Sequence, residues 1–128
     1  MTLNLMLIAT GASALFLGFT HFLFLSEAPI VFSCFLALTA CVYGGAALTP
    51  SGATYGRVEL PVVGVVFFTA ILGIIVGPVW LAVGYVIHGA WDILHHNKCV
   101  GTPIVSWFPP VCAVFDFIVA GTIYFWWV

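Results

Sequence analysis

Three of the chain's four histidines and one of its four acids fall within nine residues, from His88 to His96 (HGAWDILHH). On a helix, His88, Asp92 and His95 stand at i, i+4 and i+7, within an arc of roughly 60°, and His96 lies roughly 80° from His88. Imidazole and carboxylate on one stripe offer two chemistries. They ligate a divalent metal such as iron, zinc or manganese, and two histidines, a carboxylate and an open position form the ligand set of non-haem iron oxygenases. Without a metal, an aspartic acid serves as general acid and a histidine as base. A further acid, Asp116, lies inside another apolar run. The expected catalytic residues are therefore His88, Asp92 and Asp116. The expected metal ligands are His88, Asp92, His95 and His96, with Asp116 completing the shell or orienting a histidine. Gly84, one turn before His88, is expected to leave a groove beside the site. Tyr85, Trp91 and Trp107, with Trp80, are candidates to line an apolar pocket or to stabilise a carbocation. Taken singly, each histidine reads as a polar tie between helices and each aromatic as packing. The five polar groups together, on two spans, read as a site.

The elements that must position these groups are membrane helices. Of 128 residues, 64% are hydrophobic and 5% charged, and the mean hydropathy is +1.28. A soluble domain carries about 25% charged residues. Two basic and four acidic side chains cannot cover the surface of a soluble fold of this composition, so the bilayer is its solvent. The apolar runs do not alternate as barrel strands do, which leaves an all-α polytopic transmembrane bundle, residues 1–128 forming one domain. No basic patch exists to bind nucleic acid.

Leu3 to Leu25 is the first expected span; it lacks the basic start of a signal peptide and is too long for one. Ser26–Pro29 is a turn, and Ile30 to Leu48 the second span, with Ala40, Gly44 and Gly45 as a small-residue face. Thr49 to Glu59 reads as a loop. Leu60 to His96 would make one helix of roughly 55 Å, nearly twice the hydrocarbon thickness. A cut at Gly77-Pro78 gives spans Pro61–Val76 and Val79–Asn97; the alternative is one kinked helix and four spans in all. The cut puts Arg57 and Lys98 on one side, as the positive-inside rule prefers, and makes the N-terminus cytoplasmic. Asn97 to Pro109 is a loop. Pro110 to Val128 is the last span, closing on an aromatic belt at Tyr124–Trp127.

This five-span topology predicts depth. Asp92 and Asp116 lie about 7 and 9 Å below the same end, in one layer, with His88 a turn deeper and His95 and His96 at the mouth. His21 and Glu27 belong to the opposite end and are excluded from the site. Cys34 and Cys41 read as small core residues. Cys99 falls in the cytoplasmic loop, and Cys112, one turn before Asp116, is close enough to touch the polar layer. No Cys-x-x-Cys, phosphate loop, dinucleotide fingerprint or nucleophile elbow is present.

The run His88-x-x-Trp91-Asp92-x-x-His95-His96, followed by Gly101-x-Pro103-Ile104 and Cys112-x-x-x-Asp116, resembles the DUF6010 family of small bacterial membrane proteins, over about the last 45 residues. That resemblance implies a bacterial inner-membrane protein and a site, with no activity attached. His88-Gly-Ala-x-Asp92 is also similar to the membrane carotene-cleaving oxygenases of the Brp/Blh type, in which such a histidine binds iron. The function expected from these readings is a small membrane enzyme acting on a lipid or isoprenoid within the bilayer, with a divalent metal (iron, zinc or manganese). One alternative is a metal-free acid–base isomerase or terpene cyclase using Asp92 and Asp116. The other is a non-catalytic membrane subunit or ion carrier. A chain this small has little interior, so a homo-oligomer is expected to enclose the substrate.

Overall fold

Prolines and one glycine mark the corners of the chain, and helices run between them. The computed structural model describes residues 2–128 as α1 (Leu3–Leu23), α2 (Ala28–Ala47), α3 (Gly56–Ile75), α4 (Val79–His96) and α5 (Phe108–Trp127), with a short 3₁₀ turn at Ala53–Tyr55 leading into α3. Pro29 sits in the first turn of α2, and Pro109 and Pro110 in the first turn of α5. A missing N–H costs nothing there, because the first N–H groups of a helix have no acceptor within it. Four helices are long and apolar enough to cross a membrane: α1, α2, α3 with its leading 3₁₀ turn, and α5. The fifth, α4, has 18 residues and carries the polar stripe, which lowers its apolarity.

The break at Gly77-Pro78 divides two separate helices. Gly77 takes φ +157°, an angle that side-chain-bearing residues rarely adopt, and Pro78 cannot continue α3. The two helices then run antiparallel. Gly73 faces Leu81, Thr69 faces Gly84, and Glu59 reaches both Trp91 and His95. Around this hairpin, α5 packs on α4, α2 packs on α3, and α1 lies mainly against α5 at the edge. The core between them holds Phe32, Leu36, Val66, Leu81, Tyr85, Val119 and Ile123.

Three expectations need correction. Glu59 is not in a loop: α3 begins at Gly56, a turn earlier than Pro61, and Pro61 lies inside the helix. Proline so near a helix start removes only the bond to the Arg57 carbonyl, at the exposed end of α3. Cys34 and Cys41 are not core residues; both are exposed, on the outward face of α2. Gly84 leaves no groove. A Cβ there would fall 2.4 Å from Thr69 Oγ1 and 2.6 Å from Leu36 Cδ2, so neighbouring side chains already fill the space.

Close approach at Gly84 therefore holds α2, α3 and α4 together. Overpacking a filled core site costs about 1–3 kcal/mol. Gly84→Ala is expected to lose stability by that amount in unfolding of the detergent-solubilised protein. Gly11→Ala, which meets nothing within 4 Å on α1, is expected to match or exceed wild type, because alanine is the better helix former.

Candidate functional site

The inward face of α4 carries Leu81, Tyr85, His88, Asp92 and His95, all buried, in the order that a 3.6-residue period requires. His96, one residue round the helix, is exposed. From α5, Asp116 projects into the same interior. Its close approach to α4 depends on Gly89, where an added Cβ would lie 3.2 Å from Asp116 Cβ.

His88, Asp92 and Asp116 converge. His88 Nδ1 lies 2.6 Å from Asp116 Oδ2 and 3.2 Å from Asp92 Oδ2. One ligating atom from each of the three lies within 4.8 Å of the others. A ring nitrogen carries at most one hydrogen. When Nδ1 donates to Asp116, nothing remains for Asp92 Oδ2. That oxygen, Asp116 Oδ1 and His88 Nε2 are all enclosed without a hydrogen-bond partner. Tyr43, from α2, donates its hydroxyl to Asp92 Oδ1 and is itself 1% exposed. His88 is 1% exposed and both aspartates 0%.

A second polar cluster lies beside the first, and its bonds are complete. Glu59, 0% exposed, receives Trp91 Nε1–H at 2.9 Å on Oε2. Its Oε1 meets His95 Nε2 at 2.7 Å and also accepts the Thr102 hydroxyl. His95 Nδ1 lies 3.0 Å from the Trp91 carbonyl, which only accepts, so this nitrogen carries a hydrogen. The His95 ring sits 4.4 Å from the Tyr43 ring, centroid to centroid. Tyr43 thus touches both clusters, its ring on one and its hydroxyl in the other.

The residues expected to act together are therefore divided. His88, Asp92 and Asp116 form one group. His95 turns to Glu59, and His96 faces outward. Tyr85 donates to the Phe32 carbonyl at 2.9 Å, and Trp91 is held by Glu59, so both tie helices together and neither lines a cavity with Gly84. Trp107 is exposed in the loop before α5, and Trp80 is exposed on α4. His21 and Glu27 lie at the other end, His21 among Phe22, Trp126 and Trp127, and Glu27 beside Ser26. Cys112 is half-buried. Glu59 and Tyr43 were not anticipated. Glu59 had a signal: it lies 18 residues before Gly77, and His95 lies 18 residues after it. In an antiparallel hairpin, residues equidistant from the corner share a depth. Tyr43 had none, since a tyrosine in an apolar run reads as packing.

Electrically the two clusters also differ. The chain's two cationic side chains, Arg57 and Lys98, are exposed, and the ion pairs among the described residues all involve histidine. Two carboxylates and one imidazole share an interior with no lysine or arginine. Such charge is costly unless protons or a cation neutralise it. The ligand set of one histidine and two carboxylates differs from the two-histidine, one-carboxylate set of non-haem iron oxygenases. It is richer in oxygen and so favours harder ions such as Mn²⁺ and Fe²⁺.

Removing one member of a satisfied buried pair costs about 3–5 kcal/mol. Glu59→Leu is expected to lose stability on that scale, because Trp91, His95 and Thr102 are left without their acceptor. Asp116→Asn is expected to be neutral or stabilising in metal-free protein, since it keeps an acceptor for His88 and removes a buried charge. Unfolding of both variants in one detergent checks the contrast.

The DUF6010 family model, described as a family of unknown function, matches residues 12–127. No curated protein and no solved structure matches the chain. The five-residue likeness to the carotene-cleaving oxygenases is therefore without support. The family match extends well beyond the last 45 residues, from the third turn of α1 through both polar clusters to the end of α5, and the chain belongs to the DUF6010 family.

Proposed function

We propose that the chain is a small membrane-embedded enzyme acting on a lipophilic substrate, a lipid or an isoprenoid, through His88, Asp92 and Asp116, which hold a divalent cation. One observation carries this reading: three enclosed polar atoms, one on each of the three residues, have no partner, in an interior without lysine or arginine. Purely structural polar clusters complete their bonds, as Glu59, His95 and Thr102 do. With a neutral imidazole, the trio carries two negative charges, which one divalent cation cancels. When bound, such a cation acts as a Lewis acid on a substrate oxygen. Tyr43 fixes Asp92 by its hydroxyl, and the His95 ring beside it fixes Tyr43. The surrounding helices keep bulk water out.

A second reading uses the same residues without a metal. It is favoured by the 2.6 Å contact between His88 Nδ1 and Asp116 Oδ2. A hydrogen donated there fixes the ring tautomer and leaves Nε2 as a free acceptor, the form of a histidine base oriented by a carboxylate. With Asp92 protonated as the acid that gives a proton to the double bond and His88 Nε2 as the base that takes one from a neighbouring carbon, isomerisation or cyclisation of an isoprenoid would need no metal.

The site end of the bundle is proposed to face the cytoplasm of a bacterial cell. Arg57 and Lys98 both lie at that end, at the start of α3 and after α4, as the positive-inside rule requires.

Elemental analysis of detergent-purified protein tests the metal. Wild type is expected to hold about one equivalent of manganese, iron or zinc per chain, the occupancy of a single mononuclear site. His88→Ala and Asp92→Ala are expected to lose it, and His96→Ala to keep it. A wild type that stays unloaded after metal addition excludes the metal reading and leaves the acid–base one. Metal lost in His96→Ala but kept in Asp116→Asn places the ligands elsewhere on α4.

A further inference from the structure

Above the polar clusters, at the end carrying the loop between α4 and α5, lies a pocket of about 400 Å³. Its lining includes His95, His96, Lys98, Thr102 and Ser106. A smaller apolar groove of about 180 Å³ runs along the outer face between α4 and α5, lined by Ile93, Ala113, Val114 and Phe117. His96 lines both spaces. We infer that pocket and groove together bind an anionic amphiphile, its phosphate or carboxylate head between Lys98 and His96 and its chain in the groove between α4 and α5.

Charge and shape both support this occupant. Lys98 is one of only two lysine or arginine side chains in the protein, and it stands in this pocket. The acid nearest the pocket floor, Glu59, is fully enclosed, and its oxygens are engaged by Trp91, His95 and Thr102, so no bare carboxylate faces the pocket. The backbone of Lys98 is also telling. It takes φ 59°, the left-handed conformation after a helix end where glycine is the usual residue. Its N–H bonds the His95 carbonyl and that of Cys99 bonds the Leu94 carbonyl, closing α4. A lysine held where glycine would be less strained keeps a cation at the pocket rim. The groove leads down to the level of the site, since Phe117, in its wall, packs against Gly89 beside Asp116. This assignment rests on the proposed function in one respect: it takes the amphiphile as a member of the lipophilic substrate class, whose chain passes the level of the trio on the outer side of Gly89 and Phe117.

Lys98→Gly makes a clean test, because it removes the charge and relieves the backbone. Protein in uncharged maltoside micelles is titrated with dodecyl phosphate, dodecanol, dodecyltrimethylammonium or inorganic phosphate, and bound species are counted by native mass spectrometry. Wild type is expected to bind one dodecyl phosphate, about tenfold more tightly than dodecanol, as one charge-assisted contact would give. Lys98→Gly is expected to melt at a higher temperature yet lose most of that preference. Val114→Phe, which narrows the groove, is expected to weaken dodecyl phosphate and leave inorganic phosphate unchanged. Undiminished binding in Lys98→Gly, or dodecyltrimethylammonium binding as tightly as dodecyl phosphate, overturns the inference. Inorganic phosphate binding as tightly as dodecyl phosphate overturns the amphiphile in favour of a free anion. His88→Ala, which is expected to lose the metal, is expected to bind dodecyl phosphate as wild type does. The pocket and the metal site can therefore fail separately.

Discussion

Two carboxylates lie enclosed in an apolar bundle that offers them no lysine or arginine, and much of the structure answers to that constraint. Asp92 and Asp116 are fully buried, and what reaches them is one imidazole and one phenol. Packing five helices together does not require such a group, because two apolar residues of the same size often pack as well or better. The rest of the polar layer shows that this chain can complete a buried cluster. Glu59 has three donors, and both nitrogens of its histidine are engaged. The same few helical turns thus hold one closed network and one open one. An open network in a membrane interior is the ordinary mark of a site that exchanges protons, binds an ion or contacts a substrate.

The division explains which parts of the site were legible in the sequence. Helix corners could be read because Pro29, Gly77-Pro78 and Pro109-Pro110 restrict the backbone whatever the tertiary context. The stripe of His88 and Asp92 could be read because helical period alone puts them together. Asp116 could be matched to their depth from the topology. What helical period could not supply was the choice of partner. His95 lies closer in angle to His88 than Asp92 does, yet it turns to Glu59, because an acid on α3 waits at its level. Reading Pro61 as the helix start concealed that acid in a loop. The error came from a true rule: proline favours the first turn, but it also tolerates the second where the carbonyl it abandons lies at an exposed end.

Gly84 reverses another inference. A glycine on a polar stripe can leave room for a ligand or for a neighbouring helix, and the sequence is the same in both cases. Here Thr69 and Leu36 take the space. In membrane bundles, where apolar surface gains little by leaving lipid, close approach at small residues is a main source of helix association. Room for a guest lies instead where helices end, in the loop pocket, and on the lipid face between α4 and α5, where side chains leave a groove.

Tyr43 couples the two networks. Its ring is packed on His95, whose orientation is set at both nitrogens, and its hydroxyl holds one oxygen of Asp92. A carboxylate held on one oxygen keeps the other, Oδ2, aimed at the trio instead of rotating to find a partner. The closed cluster therefore works as the support of the open one.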